Sequence, residues 1–252
     1  MAIWPLQSLQ IAWFLTSVEG IRAQAVFEAI FGEEPQNIQT NKLPNPANPF
    51  FGVASGAVDG IQGQVQVQPG RVDLVLTPPN DDPTQDLPLF DAHTTISKIV
   101  EQIKKPSFPP AFRCAMVANL AHPAPDLQAA ADIFVQTTGI TLPMSDVSDL
   151  ILQLNRRKHL SSTIELNRLM RYSIANFQSF VIEMIPNIGM PGQTVPISKQ
   201  TFATMLALDF NTVPNGKTFE GEEINTIFDQ AATELLRVAT IGTPSGLADI
   251  NE

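Results

Sequence analysis

Apolar and polar residues alternate with a period of two along most of this chain, and four stretches break that rhythm with the longer period of a helix. Leu9, Ile11, Trp13 and Leu15 fall on one side of an extended segment with Gln10 and Ala12 on the other, which predicts a first strand. Ala23, Val26, Phe27 and Ile30 then recur at i, i+3, i+4 and i+7, a helix that Gly32 and Pro35 end. Glu34 to Pro49 has prolines, asparagines and no periodicity, and reads as a loop. Phe50 to Val58 is a strand in which Gly52 and Gly56 predict a bulge or bend. Asp59-Gly60 turns the chain into Gln62 to Gln68, where Val65 and Val67 alternate with Gln64, Gln66 and Gln68. Pro69-Gly70 then turns it into a strand carrying Val72, Leu74 and Leu76. After a proline-rich acidic loop comes a helix with Leu89, Ala92, Ile96, Ile99 and Ile103 on one face and His93 at that face's edge; Pro106 stops it.

The prolines at 106, 109 and 110 divide the chain into residues 1–108 and 109–252, and the element order then repeats. Phe112 to Leu120 is a strand. Pro125 and Asp126 open a helix with Leu127, Ala130, Ala131 and Phe134 on its face and Gly139 to cap it. Ser148 to Ile185, the longest alternating stretch, predicts a three-pass meander: Leu150 to Asn155, Ile164 to Asn167, and Ala175 to Ile185. Pro186 to Pro196 reads as an excursion and Phe202 to Phe210 as one more strand. A last helix runs from about Phe219 to Ala239 with Ile224, Ile227, Phe228, Ala231, Leu235 and Val238 on its face. Gly242 to Glu252 reads as a frayed tail. The expected fold is α+β: two similar halves of strand, helix, three to four antiparallel strands and helix, the extra strand in the second half, with helices on one face of the sheets.

This order resembles the TATA-binding-protein-like and helix-grip folds, whose long antiparallel sheets grip or cover helices. Two short motifs, Gln66-Val67-Gln68-Pro69-Gly70-Arg71-Val72 before a proline-rich loop and helix, and Leu208-Asp209-Phe210-Asn211 before an acidic-start terminal helix, resemble a sporadically distributed family of uncharacterised bacterial proteins. The resemblance implies a shared layout and supplies no catalytic residue.

Charge narrows the partners. Fifteen Lys and Arg stand against 25 Asp and Glu, a net of −10, which disfavours nucleic acid and anionic membranes for the molecule as a whole. No apolar run reaches the ~18 to 20 residues of a membrane helix. The one cysteine, Cys114, reads as a small buried hydrophobe, which allows no internal disulfide and fits a cytoplasmic setting. Met1 to Phe14 lacks the basic start and continuous apolar core of a secretory signal.

Catalytic patterns are missing from the sequence. His93, His122 and His159 have no ligand spacing, and neither GxSxG, GxxxxGK[ST] nor GxGxxG occurs. His122 reads as a solvated loop histidine; the alternative is that it orients the following turn with Asp126 as its partner. Asp209 alternates away from Leu206, Leu208 and Phe210 and is expected to face outward near Glu183 or Arg171. One group does stand out: Arg156, Arg157, Lys158, Arg168 and Arg171 gather five cations around a hairpin turn near Leu160 to Ser162.

These observations predict a non-enzymatic accessory or adaptor protein, without cofactor, metal or catalytic residues. It is expected to bind another macromolecule through its amide-rich sheet face and this basic hairpin. A protein is the expected partner, with a nucleic-acid backbone disfavoured by net charge. The alternative is a small-molecule binder or enzyme with a cleft between sheet and helices lined by Trp13, Phe27 and Phe177.

Overall fold

The alternating segments pair into one antiparallel sheet of nine strands, and the four helical segments pack on one of its faces. A computed structural model describes residues 4–45, 47–79, 87–140, 150–161, 164–185 and 193–248. The first half contains β1 (Leu6–Leu15), α1 (Ala23–Phe31), β2 (Asn37–Thr40), β3 (Gly52–Val58), β4 (Ile61–Gln68), β5 (Arg71–Thr77) and α2 (Ala92–Gln102). The second contains β6 (Ala111–Ala124), α3 (Leu127–Thr138), β7 (Ile151–His159), β8 (Glu165–Ile185), β9 (Gln193–Thr212) and α4 (Gly221–Ile241). Across the sheet the order is β2-β3-β4-β5-β1-β6-β9-β8-β7. In each half the first strand pairs with the last, and the halves meet where β1 runs antiparallel to β6, from Ser8 opposite Asn119 to Phe14 opposite Arg113.

Alternation decides which face the helices cover. Ala54, Val65, Leu74, Ile11, Met116 and Phe210 are successive cross-strand partners, all fully buried. Against this row pack Phe27 and Ile30 of α1, Ile96 and Ile99 of α2, Phe134 of α3, and Ile227, Phe228 and Leu235 of α4. The helices start and stop as their local chemistry dictates. Asp91 and Asp126 accept hydrogen bonds from the amides of Thr94 and Ala129, and Gly32, Gly139 and Gly242 close α1, α3 and α4 in left-handed conformations.

The glycines of β3 have a different purpose from the bend expected of them. The β3–β4 register runs without a break from Gly52 opposite Val67 to Val58 opposite Ile61. What the missing side chains provide is room for neighbours. A methyl at Gly56 would lie 3.1 Å from the Gln36 backbone nitrogen, and one at Gly63 of β4 would lie 2.5 Å from the Phe31 ring of α1. Gly63→Ala is expected to cost about 1–3 kcal/mol through overpacking, measured by urea unfolding. The cost should shrink in a Phe31→Ala background, and an equal cost there would show that the ring is not its source.

Four further elements differ from the sequence reading. Residues within Glu34 to Pro49 form the edge strand β2, wholly exposed and therefore without any apolar alternation to reveal it. The second and third passes of the expected meander are one strand, β8, because no glycine or proline separates Asn167 from Ala175. β9 begins at Gln193 rather than Phe202; with β2 added and two passes merged into β8, the first half has four strands after its helix and the second half three, and residues 186–192 of the expected excursion lie outside the described ones. Beyond Ala124, which faces Phe202, β8 and β9 pair only with each other among the described residues, from Phe177 opposite Thr201 to Ile185 opposite Gln193. The expected tail is also packed through residue 248: the Tyr172 hydroxyl donates to the Gly242 carbonyl at 3.0 Å, Arg237 donates to the Gly246 carbonyl at 2.7 Å, and Leu247 is buried. Leu127, expected inside, is exposed.

Candidate functional site

The helices leave the second face of the sheet open. One row of cross-strand partners reads Gln39, Val53, Gln66, Asp73, Ala12, Ala115, Asn211, Asn167, Arg157; the next reads Asn37, Ser55, Gln64, Val75, Gln10, Val117, Asp209, Leu169, Asn155. Amides and short apolar side chains dominate it. Its charges among the described residues are Arg71, Arg113, Arg157 and Arg171 against Asp73, Asp209 and Glu165. The described charges of this surface therefore sum to +1, in a chain with ten excess negative charges.

Its most organised part lies on β5, β1 and β6. Phe14 has Arg71 directly opposite on one side and Arg113 on the other. Both guanidinium groups sit over its ring, at 4.7 and 5.2 Å from the centroid, within cation–π range. Arg71 is held there by Asp73, which accepts from its Nε at 2.9 Å and its terminal nitrogen at 2.6 Å. Gln10 and Gln68 donate to the same carboxylate at 2.9 and 3.1 Å, so Asp73 is 1% exposed yet fully bonded. Arg113 has no such carboxylate, and its Nε is buried without a hydrogen-bond acceptor among the described residues.

The five basic residues expected to form one contact patch are divided by strand alternation, and the expectation is corrected accordingly. Arg156, Lys158 and Arg168 lie on the helix side, Arg156 directly opposite Arg168; Arg157 and Arg171 lie on the open face. Arg168 extends the buried apolar row past Phe210 and is 0% exposed, so no partner can touch it. It donates to Glu234 of α4, which also accepts from Lys158 at 2.9 Å and from Arg237 at 3.0 and 2.6 Å. Burial pushes the Glu234 carboxyl up, but hydrogen bonds from Arg237, Lys158 and Arg168 and the charge of Arg237 outweigh it and hold it at about 2. Of the other two, Arg171 is exposed and Arg157, 61% exposed, donates to Glu165 at 3.3 Å. Asp209 does face outward, bonded to Asn211 at 2.8 Å; the Glu183 side chain lies outside the described ones.

Most of the remaining candidates are packed into the fold. His93 is exposed rather than at the core edge, because Thr95 and Ile96 take the inward positions of that turn. His122 packs against Trp4 with centroids 4.4 Å apart and the rings tilted by 59°, and burial lowers its pKa; Asp126, the alternative partner, caps α3 instead. Burial, with a smaller contribution from the charge of Glu223, raises the Cys114 thiol to about 12, so it is not a nucleophile near neutral pH. Phe27 is fully buried against Phe31, and Trp13 packs on Phe108 and Phe228. The concavity that reaches Trp13, between the end of α2 and the start of α4, has about 260 Å³, below the roughly 300–1,000 Å³ of ordinary ligand pockets. No helix among the described residues is long and apolar enough to cross a membrane.

Comparison of the chain with protein-family models, with curated proteins and with solved structures finds no match. Five residues of these sites were not singled out from sequence. Phe14, Arg71, Asp73 and Arg113 each alternate away from the core set of their strands, a signal present but shared with every outward residue. Glu234 had a sharper one: it lies three residues after Ala231 and four before Val238, a carboxylate in the middle of an apolar helix face.

Proposed function

We propose that this protein is a non-enzymatic accessory or adaptor subunit of the cytoplasm that binds a partner protein across the helix-free face of its sheet. The distribution of charge carries the reading: among the described residues, four arginines and three carboxylates lie on the open face of a chain with net charge −10. Surfaces that associate with proteins are depleted in acidic residues and enriched in arginine and aromatic side chains. The Arg71, Phe14 and Arg113 row has that composition, and half-buried Val75, Val117 and Leu169 supply apolar area at the centre. A nucleic-acid partner is less favoured, because Asp73, Asp209 and Glu165 interrupt the positive charge along which phosphates would run.

Photo-crosslinking tests the reading. Benzoylphenylalanine placed at Gln64 or Asn119, on the open face, is expected to give one discrete adduct in cells of the native host. The same group at Gln24 or His93, on outer helix surfaces, should give none. Adducts from the helix positions alone, or none from the sheet, would overturn the proposal.

A further inference from the structure

Hydrogen-bond phase determines which backbone groups of β7 remain to be satisfied. The Leu160 amide donates to the Ile164 carbonyl at 2.9 Å, and in an antiparallel ladder pairs that exchange hydrogen bonds alternate with pairs that do not. Counted back along the register, Lys158, Arg156, Leu154 and Leu152 bond to β8, whereas His159, Arg157, Asn155, Gln153 and Ile151 turn their N–H and C=O away from it. The far side of β8 has the same phase, since the Val213 amide donates to the Glu165 carbonyl at 2.8 Å. β7 is the last strand of the sheet, so these five residues present a row of donors and acceptors with no strand beside them among the described residues. All five are exposed, Ile151 at 64%.

Charge selects what can occupy that edge. β7 itself carries Arg156, Arg157 and Lys158 and no carboxylate, and among the described residues Arg157 is bonded to Glu165 of β8 and Lys158 to Glu234 of α4. A second copy of the chain would bring the same cations against this edge, and like charges across strands destabilise pairing. An extended segment with carboxylates at alternate positions meets opposite charge along the basic half and apolar surface at Ile151.

We propose that β7 is a docking edge at which an extended acidic segment of the partner protein adds as a tenth strand. This rests on the reading of the sheet as a protein-binding surface and names how the partner is held: main-chain hydrogen bonds supply affinity, and charge supplies selection.

The probe is a fluorescein-labelled eleven-residue peptide of alternating valine and glutamate, with lysine replacing glutamate in the control, titrated against the full chain by fluorescence anisotropy. The glutamate peptide is expected to bind and the lysine peptide not. Asn155→Pro removes one outward N–H and no bond to β8, a position where a strand tolerates proline. It is expected to weaken binding about ten-fold, the size of one lost hydrogen bond, at an unchanged melting temperature. A glutamate peptide N-methylated at every residue keeps the charges, has no N–H to donate on either edge, and is expected to lose binding without any change to the protein. Equal binding by the methylated peptide, equal binding by the lysine peptide, or no binding of the glutamate peptide would overturn the docking edge. Photo-adducts at Gln64 and Asn119 separate this from the broader proposal. If they persist while the peptide fails, only the edge is wrong; if they vanish while the peptide binds through β7, only the face is wrong.

Discussion

Arg168→Glu is expected to abolish the folded state, whereas Arg171→Glu, three residues along the same strand, should leave stability within about ±0.5 kcal/mol. Arg168 is 0% exposed and bonded to Glu234, itself 4% exposed. Breaking a buried ion pair from one side costs about 3–5 kcal/mol because the remaining charge is left uncompensated, and the reversed charge would add a second buried carboxylate beside the first. That is a large fraction of the ~5–15 kcal/mol that holds a typical domain together. Arg171 is exposed on the opposite face, where water screens its charge. Circular dichroism and urea unfolding of both variants distinguish the cases, and a folded Arg168→Glu protein would remove the helix-side ion cluster from the account of stability.

Acid should act through the same cluster. Glu234 is held at about 2 against an ordinary value of 4.5, a folded-state pKa below the unfolded one. Such a group contributes stability that is fully present above about pH 4.5 and is lost as pH falls from there through about 2. The shift corresponds to roughly 3 kcal/mol, since each pKa unit is worth about 1.4 kcal/mol. Glu234→Gln is expected to lose about 3–5 kcal/mol at pH 7, where Arg168 is left without its carboxylate, and to show a shallower loss between pH 4.5 and 2 than the parent. Urea midpoints at pH 7, 4.5 and 3 test this. Parallel pH profiles for the two proteins would mean that other carboxylates govern the acid transition.

The cluster also shows why the basic residues were legible as a group and not as a site. Their closeness in sequence is real: Arg156 and Arg168 face each other across the β7–β8 ladder. Charge density along a sequence, however, does not say which side of a strand a residue takes relative to a helix that arrives sixty-six positions later. The alternation of Leu152 and Leu154 runs on to Arg156 and Lys158 on the covered side and leaves Arg157 exposed. Glu234 likewise falls on the apolar face of α4 by its spacing.

Local spacing set the elements and the layers. Period-two and period-3.6 spacing, aspartate caps and glycine stops are local, and β1, α1, β4, β5, α2, α3 and α4 lie close to where that local chemistry puts them. Net charge, the single cysteine and the amide-rich outward positions are likewise properties of composition and alternation. Tertiary structure alone decided the pairing of first with last strand in each half, the junction of β1 with β6, and the continuity of β8, because strand neighbours are chosen by contacts between residues far apart in the chain. It also decided that Gly56 makes room for the Gln36 backbone and Gly63 for the Phe31 ring rather than bending a strand, that Arg71 and Arg113 share the face of Phe14, and that the outward edge of β7 has no strand beside it among the described residues. Each of these depends on what lies opposite in space, and a one-dimensional pattern carries information only about which side a residue takes, not about what it meets there.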